Sequence, residues 1–299
     1  MKHEKKMISK KTYTYKTVDN CAIKADVYRA DDSVIRPAIV FIHAGALIGG
    51  GRDSHPIITE MLSNAGYVVI SIDHRLAPET KLNGIIEDLR DALSWIRKEG
   101  QTLFNIDIER IGVVGNSAGG YLTLMSGVSA NYRPKALVSI YGYGDISGNW
   151  SNCPDLFYCQ QPLISESTAR AVVGTHAISE TSPNKQRFSF YIYCRQRGTW
   201  AKEVTGYNPE LAPEVFNQFC PIRNVTSSYP PTMLLHGDMD TDVPYEQSVE
   251  MAKRLDEVGI EHQLVTVEGK GHCFEVAGFT DPIVADALNK VITFLKQHV

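Results

Sequence analysis

No run of eighteen apolar residues occurs in the 299-residue chain, so no segment reads as a membrane span. Basic charge is not in surplus either: 30 Lys and Arg stand against 34 Asp and Glu, a formal net charge of −4. That balance leaves no electrostatic footprint for nucleic acid or for an anionic membrane surface. The six cysteines (Cys21, Cys153, Cys159, Cys194, Cys220 and Cys273) show no CxxC spacing and no paired histidines beside them. A metal or redox centre is therefore not expected. In a chain of this length the thiols are expected to be reduced, with a Cys153–Cys159 bridge not favoured. Internal repeats and low-complexity tracts are missing as well. The N-terminal Met1-Lys2-His3-Glu4-Lys5-Lys6 is basic, but no apolar stretch follows it. It reads as a solvated tail rather than a secretory signal, and the implied location is cytoplasmic.

What the chain does have is apolar residues, 43% of the total, enough for one large core. Residues 12–18 and 21–29 alternate as an antiparallel strand pair around Asp19-Asn20, a plausible turn dipeptide. Apolar β-branched runs at 37–43, 67–72, 111–114, 136–141, 232–236 and 262–267 read as strands covered on both faces. Helical spacing of apolar residues appears over 55–66, 85–96, 245–258 and 282–297. Such alternation predicts a mostly parallel sheet with helices on both faces. Ligand sites in such sheets lie beyond the carboxyl ends of the strands, where the loops at Ala44, His74 and Asn116 emerge. Residues 146–228 break the rhythm and concentrate aromatics, among them Trp150, Tyr158, Tyr191 and Trp200. A structureless loop of that length is implausible, so the segment is expected to be an inserted, mostly helical cap.

The chemistry centres on Gly115-Asn116-Ser117-Ala118-Gly119, which follows a strand and opens a helix. Gly-x-Ser-x-Gly in this setting holds a serine hydroxyl on a sharp strand-to-helix turn. By chance the pattern arises in roughly one chain in ten of this length, so context has to decide. A serine hydroxyl is a poor nucleophile and needs a base, and the base needs a group that fixes its tautomer. Both types of residue follow at later strand ends. His236-Gly237-Asp238-Met239-Asp240-Thr241-Asp242 closes one strand, and Gly269-Lys270-Gly271-His272 closes the next. His272 is the candidate base. Asp238, Asp240 and Asp242 share one loop, and residue type alone does not choose among them.

Taken together, four stretches resemble the α/β-hydrolase superfamily, in particular the carboxylesterases of its hormone-sensitive-lipase-like branch. His43-Ala44-Gly45-Ala46 is similar to that branch's His-Gly-Gly-Gly oxyanion loop, and Asp73-His74-Arg75-Leu76-Ala77-Pro78-Glu79 to its Asp-Tyr-Arg-Leu-Ala-Pro-Glu stretch. The serine turn and the two loops just described are the other matches. The resemblance covers about residues 35–145 and 230–297 and does not extend to the cap. It implies the α/β-hydrolase fold, with 1–299 as a single domain and 146–228 inserted within it.

For the site, the resemblance implies Ser117 as nucleophile, His272 as base, Asp240 as acid, and an oxyanion hole from the N–H groups of Gly45, Ala46 and Ala118. Ala44 and Ala46 depart from the branch's glycines. Alanine keeps its N–H but loses easy access to positive φ. His43 is expected to pin the oxyanion loop, Arg75 to pair with Glu79 or Asp88, His74 to be a packed side chain, and Cys273 to be a small core residue.

The implied activity is hydrolysis of small carboxylic esters through an acyl-enzyme, with neither metal nor organic cofactor. An aromatic cap over the serine restricts it to short acyl groups, and a homo-oligomer is left open. A peptidase or amidase on the same triad is the alternative. A ligand-binding protein on the fold is less favoured, because all three triad positions are filled.

Overall fold

Asp19 and Asn20 both sit at positive φ, +47° and +65°. That two-residue turn matches the twist of the strands it joins. In this computed structural model, which describes residues 7–128, 133–181 and 185–299, it closes a hairpin of β1 (Ile8–Val18) and β2 (Cys21–Ala30). The other strands are β3 (Arg36–Ile42), β4 (Val68–Ile72), β5 (Ile106–Asn116), β6 (Leu137–Ile140), β7 (Thr232–Gly237) and β8 (His262–Val267). They form one sheet in the order β1-β2-β4-β3-β5-β6-β7-β8. β1 and β2 run antiparallel to their neighbours, and the six strands β3 to β8 are parallel. β5 begins five residues before the apolar run at Ile111, because Ile106 already pairs with Arg36. Its polar start (Asp107 to Arg110) is partly exposed and carries no apolar signal.

Helices α1 (Pro56–Asn64), α2 (Leu82–Phe104) and α3 (Ala118–Val128) alternate with these strands. Short helices α4 to α8 follow at Asn149–Asn152, Leu156–Cys159, Glu166–Arg170, Lys185–Arg197 and Trp200–Thr205. After β7 come α9 (Glu246–Val258) and α10 (Pro282–His298). Alternate strand residues feed two cores. Val40, Ile70 and Val113 pack with α2, α3 and α9 on one face, while Phe41, Val69 and Val114 pack with α1 and α10 on the other. Both faces are thus covered, as the continuous apolar strands require. This is the α/β-hydrolase fold.

Between β6 and β7 the described residues form helices and turns and no strand. The stretch carries few long apolar runs, but its Phe190, Trp200, Phe216 and Phe219 are buried. Residues 182–184 of the expected cap and the basic stretch 1–6 lie outside the described residues. Among the described residues no helix is long and apolar enough to cross a membrane. Cys153 and Cys159 are free thiols.

Candidate active site

Ser117 occupies the turn between β5 and α3 at φ +53°, a left-handed conformation that costs a non-glycine residue about 1–2 kcal/mol. Its N–H donates to Ile140 O at 2.9 Å, so β6 holds the strained residue in place. Gly119 explains the second glycine of the pattern: a Cβ there would lie 2.0 Å from Ile42 O, inside the adjacent strand. The helix can start this close to the sheet only without a side chain.

Two loops at the ends of β7 and β8 meet this turn. They touch because Gly237 has no Cβ; one would sit 2.1 Å from Lys270 O. Met239 N–H then donates to Lys270 O at 3.0 Å, and Gly269 N–H to Asp238 Oδ1 at 2.7 Å. Asp238 therefore braces the loops. His272 is brought between Ser117 and Asp240, with Nε2 3.0 Å from Ser117 Oγ and Nδ1 2.7 Å from Asp240 Oδ2. A carboxylate only accepts, so Nδ1 carries the proton and Nε2 presents its lone pair to the hydroxyl.

The Asp240 side chain is fully buried, yet four groups solvate it. Asp242 N–H and Val243 N–H donate to Oδ1 at 2.8 and 3.0 Å, and His236 Nε2 stands 3.2 Å from Oδ2 beside His272. Burial pushes its pKa up, but the hydrogen bonds from His236 and His272 outweigh this and hold it well below the usual carboxylate range. Burial lowers the pKa of His272, but the bond to Asp240 and the charge of Asp242 outweigh it, so the net shift is upward. Asp242 faces the same imidazole from the other side, with Oδ2 3.6 Å from Nε2.

The loop after β3 runs Gly45, Ala46 and Leu47 at φ +122°, +56° and +62°. Ala46 thus adopts the region that alanine enters only at a cost, and donors from elsewhere in the chain hold the loop there. Trp200 Nε1 donates to Ala46 O at 3.1 Å, Ala77 N–H to Leu47 O at 2.8 Å, and Arg187 Nε to Ile48 O at 2.5 Å. Among the described residues, the N–H groups of Gly45, Ala46 and Ala118 donate to no protein acceptor. His43 Nδ1–H donates to Ala44 O at 2.6 Å, and the His43 ring stacks on buried His74 at 4.6 Å. Burial, and then His74, depress the His43 pKa well below the ordinary value, so both rings stay neutral.

Arg75 pairs with Asp88 through two 2.8 Å bonds rather than with Glu79. Glu79 is the partner of Arg187, which also reaches Ala77 O at 2.8 Å. Cys273 corrects the expectation of a core residue: it is exposed, because its positive φ (+61°) turns the chain so that Phe274 and Glu275 point inward instead. Glu275 meets Asn116 Nδ2 at 3.0 Å, and Asn116 meets Tyr141 OH at 2.9 Å and His55 Nδ1 at 3.0 Å. No site role follows from the sequence for His55, Tyr141, Glu275 or Arg187, and Trp200 is placed there only among the cap aromatics. Only the position of Asn116 beside the serine and of Glu275 near His272 gave any signal.

A cleft of about 560 Å³ opens beside this loop, lined by Gly45, Gly49, Asp53, Arg187, Phe188 and Tyr191 among others. A serine hydroxyl bonded to a base and N–H groups without a protein acceptor are parts that acyl transfer requires, and the cleft meets their loop at Gly45.

The BD-FAE family model matches residues 25–255. The esterase LipC of Mycobacterium tuberculosis is 28% identical over 91% of this chain and 63% of its own length. An ethyl acetate hydrolase of Pseudomonas putida is 26% identical over 95% of this chain and 81% of its own length. The chain spans only 12 to 14% of several non-reducing polyketide synthases that it also matches. A crystal structure of an α/β-hydrolase superfamily protein from Enterococcus faecalis superposes with a TM-score of 0.74 at 22% identity, covering 97% of this chain and 99% of the other.

Proposed function

The chain belongs to the BD-FAE family, and from that premise we propose that it is a serine carboxylester hydrolase acting on small, short-acyl esters. The observation that carries the reading is the continuous relay from Asp240 through His272 to Ser117, with links of 2.7 and 3.0 Å. Ser117 Oγ attacks the ester carbonyl while His272 Nε2 takes its proton. The N–H groups of Gly45, Ala46 and Ala118 receive the oxyanion. His272 then returns the proton to the leaving alcohol, and water releases the acyl group by the same route. Asp240 stays ionised and stabilises the imidazolium. Similarity to an esterase and to an ethyl acetate hydrolase supports esters as the substrate class. The same reading places the enzyme in the cytoplasm, where its six thiols stay reduced.

We read residues 146–228 as a lid. Its Trp200 grips the oxyanion loop, and Tyr143, Trp150 and Trp200 pack ring to ring within 5.7 Å. A wall of that kind favours short acyl chains. Each added CH₂ contributes up to about 0.8 kcal/mol while it fits, and overpacking costs about 1–3 kcal/mol once it does not. The expected maximum of kcat/KM on p-nitrophenyl esters lies between acetyl and hexanoyl, with a clear fall by decanoyl. The decisive variant is Ser117→Ala, expected to lose turnover with an unchanged circular dichroism spectrum. Ordinary activity in that variant would remove the basis of the reading.

A further inference from the structure

Asp242 is held in an unusual way for a residue next to a catalytic base. Its Oδ1 accepts from Arg195 Nη1 at 2.7 Å, Tyr191 OH at 2.5 Å and Tyr158 OH at 3.1 Å. Arg195 Nη1 also donates to the Asp242 carbonyl at 3.0 Å, and Arg195 Nη2 pairs with Asp155 at 2.6 Å. These partners come from α5, α7 and the turn preceding α5, so the helical segment orients a carboxylate that β7 delivers. The side chain is 16% exposed, and with Oδ1 saturated the oxygen left with open acceptor capacity is Oδ2. It stands 3.6 Å from His272 Nε2, beyond hydrogen-bond length.

That position has a chemical consequence. His272 Nε2 hands its proton to the leaving atom, so the leaving atom comes to within hydrogen-bond reach of Nε2 and passes beside Asp242 Oδ2. A bare alkoxide oxygen would place its lone pairs against a carboxylate oxygen, which is repulsive. A leaving group that brings its own O–H or N–H turns the same encounter into a charge-assisted hydrogen bond. We propose that Asp242 Oδ2 is a specificity-determining acceptor, and that the preferred substrates carry a hydrogen-bond donor at or next to the leaving atom. The donor is either a hydroxyl on the carbon adjacent to the ester carbon of the alcohol or the N–H of an amide. This rests on the serine-hydrolase reading above and narrows its substrate class.

The test compares 2-hydroxyethyl butyrate with 2-methoxyethyl butyrate, which differ in the donor and little in size, and adds butyranilide as the N–H arm. A hydrogen bond to a charged acceptor predicts a kcat/KM ratio of about 10- to 100-fold in favour of the hydroxyethyl ester. In Asp242→Asn that ratio falls toward one, and any anilide hydrolysis falls by more than methoxyethyl ester hydrolysis does. Asp242→Glu, which keeps the charge but displaces the oxygen, reduces the ratio in the same way and covers the case in which the Asn variant does not fold. A wild-type ratio near one overturns the proposal. So does a ratio that persists in the variants, or an equal loss on both esters, which marks a purely structural Asp242. Labelling of Ser117 by a fluorophosphonate, run alongside, separates the two failures. Labelling with a flat ratio sinks only the role of Asp242, whereas no labelling sinks the hydrolase reading itself.

Discussion

The sheet and the helical segment between β6 and β7 contribute to the site in different ways. The sheet delivers Ser117, Asp240 and His272 on short loops at the ends of β5, β7 and β8, and close backbone approaches at Gly119 and Gly237 set their spacing. The segment delivers Arg187, Tyr191, Arg195 and Trp200, which reach across more than forty residues of sequence to carbonyls and to the carboxylates of Glu79 and Asp242. One region carries the reacting atoms through local geometry. The other holds strained backbone and an oriented charge through long-range side chains. Damage to the first should therefore appear in chemistry at constant stability, and damage to the second in stability and specificity.

The comparison is tested most severely at Asp240. Asp240→Asn cannot hold His272 as the required tautomer and charge, and kcat is expected to fall about 10⁴-fold. Asp238→Asn, which loses only a brace to Gly269, is expected to cost far less. Equal losses at the two positions would show that the loop acts as a unit, without a distinct acid. Next comes Arg187→Met. It strands Glu79, whose side chain is 1% exposed, and leaves Ile48 O without its donor. Breaking a buried pair from one side costs about 3–5 kcal/mol, to be read from urea unfolding, and adding Glu79→Gln should restore part of it. A stability unchanged within error would mean that the segment does not hold the oxyanion loop.

Smaller effects sharpen the contrast. Trp200→Phe removes a single donor from Ala46 O and should lower the free energy of unfolding by about 1 kcal/mol, read in urea, with a smaller effect on kcat. The pH profile is the finest probe. Only neutral His272 accepts the serine proton, and its pKa is raised in the fold, so the rising limb of kcat/KM should inflect above the ordinary histidine value of about 6.5. Asp242→Asn removes one of the charges that raise it, and should move the inflection down. An inflection at or below about 6.5 in the wild type would contradict the assigned base.

The same division explains what could be read in the sequence. Strands at 37–43 and 67–72 announce themselves because apolar β-branched runs buried on both faces leave a local signature. Ser117 and His272 do so because the glycines that their loops need are their neighbours in sequence. The choice among Asp238, Asp240 and Asp242 was not legible from residue type, since all three share one loop and only the approach of Lys270 to Gly237 decides which meets His272. Arg187 and Trp200 leave no trace of their contacts in the sequence, although Trp200 itself counts among the aromatics of the cap. Their partners are backbone carbonyls of Ile48 and Ala46, and a carbonyl has no residue type to match. Of the two acids open to Arg75 in the sequence, Asp88 is its partner, while Glu79, nearer in sequence, pairs with Arg187 from the helical segment.

Intact-mass spectrometry of the protein treated with a fluorophosphonate, followed by peptide mapping, addresses the central claim most directly. The account predicts one adduct per chain, on the peptide that contains Ser117, absent in Ser117→Ala and formed much more slowly in Asp240→Asn. A native chain that takes no adduct, or an adduct that persists in Ser117→Ala, would contradict it.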